Sequence, residues 1–413
     1  MTMKRRNFIA AIVAGLSLAV SAHGASAQEV IKIGVLAPIS GGAAADGQEM
    51  VNGAELAIKE INAQGGIGGY TFELVVGDVE DRSASSVATS VERLLSNRDM
   101  GAVLTGYAST TNFEIETMAE QEMIYMVGAQ SPQTAAIISP SPDDFGTIWS
   151  LTPSFDGYNT GVLPVIEGLA EAGTLDLPNK KLAIVSSDNP YSKGIADGIV
   201  ESFSAAGWEI TQNELLPFGE INDWRGFLAK VRQDPPALLI NTDYVSSNAA
   251  TFMSQFKENP TDSLVFIQYA PSVPEFLELT KENSNGVVYN LLGGILNTPK
   301  NPRAAEVMAK FQDEYGLETG TYGAMLYEMV YIYADALQEV GDPADRAAIG
   351  EAIGASTHQT ALGVVAFDPA THLALQDDAH VPLQFYQIQE GERVLFSPDQ
   401  YLTGAFVEPD WMK

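Results

Sequence analysis

Gly101-Ala102-Val103-Leu104-Thr105-Gly106-Tyr107-Ala108-Ser109-Thr110-Thr111 runs through Asn112–Glu122 into Met123-Ile124-Tyr125-Met126-Val127-Gly128-Ala129-Gln130-Ser131-Pro132, and the fold turns on this stretch. Gly101–Thr105 and Met123–Val127 are short apolar runs, as expected of buried strands. Asn112–Glu122 between them predicts a helix. Each run breaks into a turn of small residues, several carrying hydroxyls. Strand–turn–helix–strand is the unit of a parallel sheet. In an open parallel sheet, ligands bind outside the carboxyl ends of the strands. A Ser-Thr-Thr turn opening a helix offers free backbone N–H groups and a positive dipole end, which suit a carboxylate. The same residues also serve as ordinary helix caps, so the turns alone leave both readings open.

The flanking sequence repeats the unit. Ile31–Leu36 and Tyr70–Val76 predict strands, and Gly47–Ala63 and Ala84–Leu95 predict helices. The second strand ends in Asp78-Val79-Glu80-Asp81. A second set of strand–helix units follows Leu151-Thr152-Pro153, with strands at Leu182–Val185, Trp208–Leu216, Ala237–Ile240, Leu264–Ile267 and Gly286–Leu292. Pro302–Tyr315, Gly323–Val340 and Ala347–Ala355 predict helices. Val381–Gln389 and Val394–Phe396 predict a closing pair of strands. The fold class is therefore α/β, with two doubly wound parallel sheets. Gly65-Gly66-Ile67-Gly68-Gly69 lacks phosphate-loop spacing and has no nucleotide role.

Composition removes several chemistries. The 413 residues hold no cysteine, so disulfides, thiolate metal sites and thiol nucleophiles are excluded. Four histidines occur without ligand-like spacing, and no cofactor or metal is expected. Residues 1–27 have a positive start at Lys4-Arg5-Arg6, an apolar stretch and a small-residue site at Ala25-Ser26-Ala27, as in a secretory signal. Arg5-Arg6 also fits a twin-arginine signal. The formal net charge is −31, and removing the basic signal makes it more negative. Such a field repels nucleic acid.

Several landmarks carry a family resemblance. They are Ile33-Gly34-Val35, Pro38-x-Ser40-Gly41, Gly53-Ala54-Glu55-Leu56-Ala57, Glu60-Ile61-Asn62-x-x-Gly65-Gly66-Ile67-x-Gly69, the two small-residue turns, and Asp188-x-x-Tyr191-x-x-Gly194. Together they resemble the substrate-binding proteins of bacterial ABC importers, in the branched-chain amino acid (leucine/isoleucine/valine) family. The resemblance implies a type I periplasmic binding protein fold with two lobes joined by a three-strand hinge. Lobe 1 would comprise 28–151 and 292–364, and lobe 2 would comprise 152–291 and 365–413. Crossovers are expected near Leu151–Pro153, Asn290–Gly293 and Val364–Asp368. The implied setting is the periplasm, and the implied partner is an ABC permease in the inner membrane.

The resemblance also implies a site. Ser109 and Thr110, then Ala129 and Ser131, would hold a ligand carboxylate, with Gln130 as the alternative to Ser131. Tyr191 would supply an aromatic wall, joined by Tyr107, Tyr244 and Tyr269. Members that bind amino acids place an acid after the strand at Leu264–Ile267, but this chain has Gln268-Tyr269-Ala270 there. Asp243 and Asp46 are the candidate replacements for holding an ammonium. The expected function is capture of an amino acid or similar small carboxylate by hinge closure, without catalysis. The alternatives are a urea, short-amide or aromatic-acid binder, a ligand-sensing module, or an exported hydrolase using paired carboxylates.

Overall fold

The computed structural model describes residues 28–129, 131–377 and 379–413; the signal-like segment and Gln130 lie outside the described residues. The first sheet contains β1 (Glu29–Ala37), β2 (Tyr70–Asp78), β3 (Met100–Thr105), β4 (Ile124–Val127) and β5 (Ile148–Ser150). Its connections carry α1 (Ala44–Ala63), α2 (Ala84–Leu95), α3 (Glu114–Glu120) and α4 (Ser131–Ile138). All its strands are parallel, in the order β2-β1-β3-β4-β5. β3 and β4 are buried along their whole length. That is why they read as unbroken apolar runs, since helices cover both faces of a parallel sheet.

After α5 (Asp156–Glu171) the pattern repeats in β6 (Lys181–Ser187), α6 (Pro190–Ala205), β7 (Glu209–Leu216), α7 (Arg225–Gln233), β8 (Leu238–Asn241), α8 (Ser246–Lys257), β9 (Leu264–Ile267), α9 (Pro274–Thr280) and β10 (Val288–Leu291). Next come α10 (Pro302–Tyr315), α11 (Thr321–Val340), α12 (Arg346–Ala355) and a small ribbon of β11 (His358–Thr360) and β12 (Gly363–Val365). β13 (Gln384–Gln389) and β14 (Glu392–Ser397) then close the chain's second sheet, in the order β14-β13-β10-β9-β8-β6-β7. β13 runs antiparallel to both of its neighbours, β10 and β14, and the other five strands pair in parallel. The run β7-β6-β8-β9-β10 repeats the order β2-β1-β3-β4-β5. Each sheet therefore has a switch point, beside β1 and beside β6, where a crevice opens at the carboxyl ends.

Two expectations shift. The Asn112–Glu122 helix shortens to α3, because Asn112 takes a left-handed conformation (φ 55°) while its N–H bonds the Ser109 hydroxyl. The third crossing also lies later than Val364–Asp368. Leu373 pairs with Ser150 of β5, Phe367 pairs with Ala374, and His372 stacks on Trp149 at 4.1 Å. The chain therefore stays on the first sheet to Leu375 before it reaches β13. Among the described residues no helix is long and apolar enough to cross a membrane.

One helix seats the site from behind. α11 is buried at every position from Thr321 to Val330, packed on α1 and against β3. A side chain at Gly53 of α1 would place its Cβ 2.0 Å from the Gly323 carbonyl oxygen. The helices thus meet backbone to backbone, and Tyr322 comes to the end of β3. There Gly106 leaves room, since a Cβ would lie 2.4 Å from the Tyr322 ring. Backbone cannot yield as a flexible side chain can. Gly53→Ala is expected to destabilise the protein by about 3 kcal/mol, read from urea unfolding.

Candidate functional site

The carboxyl ends of both sheets face one gap. Asp46 reaches it from the first turn of α1, after β1. Its carboxylate accepts from Tyr107 Oη at 2.7 Å and from Tyr269 Oη at 3.2 Å. Tyr107 follows β3 and Tyr269 follows β9, so the second bond joins the two halves. Removal from water pushes the Asp46 pKa up to about 6, against the pull of both tyrosines and of Arg82. Glu49, one turn along α1, is half-buried. Burial and then the Asp46 charge push it up to about 8, although the Gly320 N–H donates to it at 3.1 Å.

Arg82 enters from the loop after β2 with a left-handed backbone (φ 63°). Its Nη1 donates to Tyr244 Oη at 2.9 Å, a second bond between halves, and its Nη2 donates to the Ser109 carbonyl at 3.4 Å. The guanidinium lies 4.5 Å from the Tyr107 ring centroid. Its Nε is buried and has no hydrogen-bond partner among the described residues. A buried guanidinium donor without an acceptor is costly. An anionic oxygen beside it would supply the missing acceptor.

The second half supplies rings. Asn189 caps α6 by accepting from the Ser192 N–H at 3.0 Å, with Pro190 as the first helical residue. This start places Tyr191 at the gap, with its Oη accepting from Gln268 Nε2 at 3.2 Å. Tyr191 meets Phe155 and Tyr244 edge to face, at 5.4 and 5.7 Å. Tyr269 sits at φ 60°, ψ −55°, and the Ala270 N–H bonds the Gln268 carbonyl across it at 2.7 Å. This is the γ-turn of the rarer hand, a strained form that concentrates at functional sites. Tyr322 packs edge-on to Tyr107 at 5.1 Å.

Of the residues expected at the site, Asp46, Tyr107, Thr110, Ala129, Tyr191 and Tyr269 line the gap together. Ala129 does so with its N–H already donated to the Gly106 carbonyl at 2.6 Å, so that amide is not available to a carboxylate. Three expected residues do not line it. The Ser109 hydroxyl donates to Glu114 Oε2 at 2.6 Å and accepts from the Asn112 N–H at 2.8 Å, holding its own turn. Ser131 is fully buried at the start of α4, away from the lining, with no partner for its hydroxyl among the described residues. Asp243 is buried beneath the gap, and its carboxylate accepts from the Val245 N–H, the Ser187 hydroxyl and Asn248 Nδ2. Burial raises its pKa. Gln130 lies outside the described residues.

Sequence reasoning missed Arg82 and Tyr322. Arg82 had a signal: it is a cation at a strand's carboxyl end, directly after Asp78-Val79-Glu80-Asp81, in a chain poor in basic residues. Tyr322 had none nearby, because α11 reaches the gap only by packing on α1.

Two outcomes follow from these placements. Asp243→Ala removes the acceptor of the buried Ser187 hydroxyl and one acceptor each of the Val245 N–H and Asn248 Nδ2, and is expected to cost about 2 kcal/mol in urea unfolding, with ligand affinity of the folded protein unchanged. Glu49 keeps its proton in the folded state up to about pH 8, against an ordinary value of 4.5. The stability it contributes is present at acid pH and is lost as pH rises through that window. Glu49→Gln is therefore expected to flatten the fall in Tm of ligand-free protein across that range.

Comparison with known proteins agrees with this architecture. The family model of the periplasmic binding proteins matches residues 30–392. The leucine-, isoleucine-, valine-, threonine- and alanine-binding protein of Pseudomonas aeruginosa is 23% identical over 359 residues, covering 86% of this chain and 91% of its own. The crystal structure of a candidate branched-chain amino acid ABC transporter from Silicibacter pomeroyi has a TM-score of 0.83 at 28% identity, covering 93% of this chain and 100% of that one. A branched-chain amino acid transporter substrate-binding protein from Streptococcus pneumoniae, solved with isoleucine, has a TM-score of 0.73 at 20% identity, covering 88% and 98% of the two chains. Two repeated parallel sheets whose carboxyl ends close on one gap, and a family match running from β1 into β14, identify the chain as a member of the periplasmic binding protein family.

Proposed function

We propose that this protein is the exported solute-binding component of an ABC importer. It captures an amino acid or a similar small carboxylate between its two halves and presents the closed form to a permease in the inner membrane. The observation that carries this reading is the pair of opposite charges, Asp46 and Arg82, lining one gap that is walled by both sheets. Arg82 Nε supplies a charge-assisted bond to the ligand carboxylate. Asp46 receives the ammonium. Tyr191, Tyr244 and Tyr269 close over the ligand from the other side, with Thr110 and Ala129 on the near wall. A zwitterion leaves the charge of the gap balanced, whereas a lone anion or cation does not.

Closure follows from the bonds between halves. Arg82–Tyr244 and Asp46–Tyr269 join at the gap, and Arg393 of β14 pairs with Glu318 at 2.6 Å beside it. A ligand favours closure only by binding the closed form better than the open one. One that completes Arg82 and Asp46 while the tyrosines cover it meets that condition. The amino-acid ligands of the relatives support the same class.

Titration calorimetry of the mature chain against a panel of amino acids is the test. Arg82→Ala is expected to weaken ligand binding by about 100-fold, because a buried ion pair loses one member. Unchanged affinity would remove Arg82 from the site. Asp46 is ionised above about pH 6. Affinity for an ammonium-bearing ligand is therefore expected to fall about tenfold from pH 7 to pH 5 as the carboxylate takes up a proton.

A further inference from the structure

The chemistry of the gap narrows the ligand further, on the footing that the gap is the binding site. Its lining holds no leucine, isoleucine, valine, methionine or phenylalanine among the described residues. Such side chains line adjoining chambers instead: Leu291, Leu292 and Phe155 in one that shares Tyr191, Tyr269 and Tyr322 with the gap, and Phe218, Val245 and Val273 in another that shares Asp46, Arg82 and Tyr244. The gap itself is walled by tyrosine rings. One face of Tyr107 is taken by the Arg82 guanidinium. The other rings stand at steep angles to one another: 90° between Tyr191 and Tyr244, and 49° between Tyr269 and Tyr322. Parallel faces make a slot for a flat ring. Rings set across one another make a box, which suits a compact, rounded group.

Hydrogen bonding points the same way. A primary ammonium brings three N–H donors, each needing an acceptor. Asp46 already accepts from two tyrosines, which leaves about two of a carboxylate's four lone-pair sites for three ammonium donors. Tyr244 Oη accepts from Arg82 and Tyr191 Oη accepts from Gln268. Asp243, the other acid near these turns, is spent on its own half and does not line the gap. A fully methylated ammonium needs no acceptor. It is held by aromatic faces and by a nearby negative charge, and the gap supplies both. At the other end, the unpartnered Arg82 Nε calls for an anionic oxygen.

We propose that the ligand is a betaine-type zwitterion: a carboxylate joined by a short link to a fully N-methylated ammonium. Arg82 binds the carboxylate. The rings of Tyr191, Tyr244, Tyr269 and Tyr322 enclose the ammonium, and the Asp46 charge faces it.

Matched pairs test this. The mature chain is dialysed free of ligand and titrated with glycine and glycine betaine, with proline and proline betaine, and with leucine and choline. Each betaine is expected to bind about tenfold or more tighter than its unmethylated partner and than leucine. Choline, which lacks the carboxylate, is expected to bind about 100-fold more weakly than glycine betaine. Tyr244→Leu keeps an apolar wall and removes the ring, so it is expected to lower betaine affinity about tenfold, with folding checked by circular dichroism. If leucine or an unmethylated amino acid binds tighter than the betaines, the proposal falls while the solute-binding reading stands. If no member of the panel binds saturably, both fall.

Discussion

Two opposite charges held where water is scarce set the terms for the rest of this structure. Asp46 enters the gap from the first turn of α1 and Arg82 from the loop after β2, behind adjacent strands of one sheet, and neither could stay charged there uncompensated. Tyr107 and Tyr269 hydroxyls bond the acid, while Tyr244 and the Ser109 carbonyl take the two terminal nitrogens of the guanidinium and leave its Nε open. Two of those four partners belong to the other sheet. The halves are therefore joined by the same charged groups that line the gap.

The placement is a product of topology. Strand order reverses beside β1 in the first sheet and beside β6 in the second. Loops diverge at such points and leave crevices at the carboxyl ends. Asp46, Arg82 and Tyr107 follow β1, β2 and β3, while Tyr191, Tyr244 and Tyr269 follow β6, β8 and β9. The repeat gives each half the same scaffold but different contents. The first half carries both charges together with the rings of Tyr107 and Tyr322, and the second carries the rings of Tyr191, Tyr244 and Tyr269.

Much of this was legible in the chain. Apolar runs such as Met123–Val127 mark strands because burial on both faces demands them, and helix boundaries such as Pro302–Tyr315 follow from proline and periodicity. Asp46, Tyr107, Thr110, Ala129, Tyr191 and Tyr269 could be placed at the gap because the family resemblance points to turns at strand ends, and strand ends can be read. What could not be read was direction. Ser109 and Asp243 also follow strands, yet their side chains turn back to bind the backbone and neighbours of their own loops. Short polar side chains at turns serve both ends, and sequence does not say which. Tyr322 depends on the approach of Gly53 to Gly323, a contact between positions far apart in the chain.

The γ-turn at Tyr269 does more than aim a ring. The residues just after it are pinned by Arg393, whose Nε donates to the Pro271 carbonyl at 2.9 Å and whose Nη2 donates to the Val273 carbonyl at 3.1 Å. Arg393 also bonds Glu318 on the far side of the gap. The ring, its tightly wound peptide and the final hairpin are thus tied together by hydrogen bonds. The turn that aims a ring into the pocket is braced by a residue more than a hundred positions away, so the tail of the chain helps to build the pocket wall.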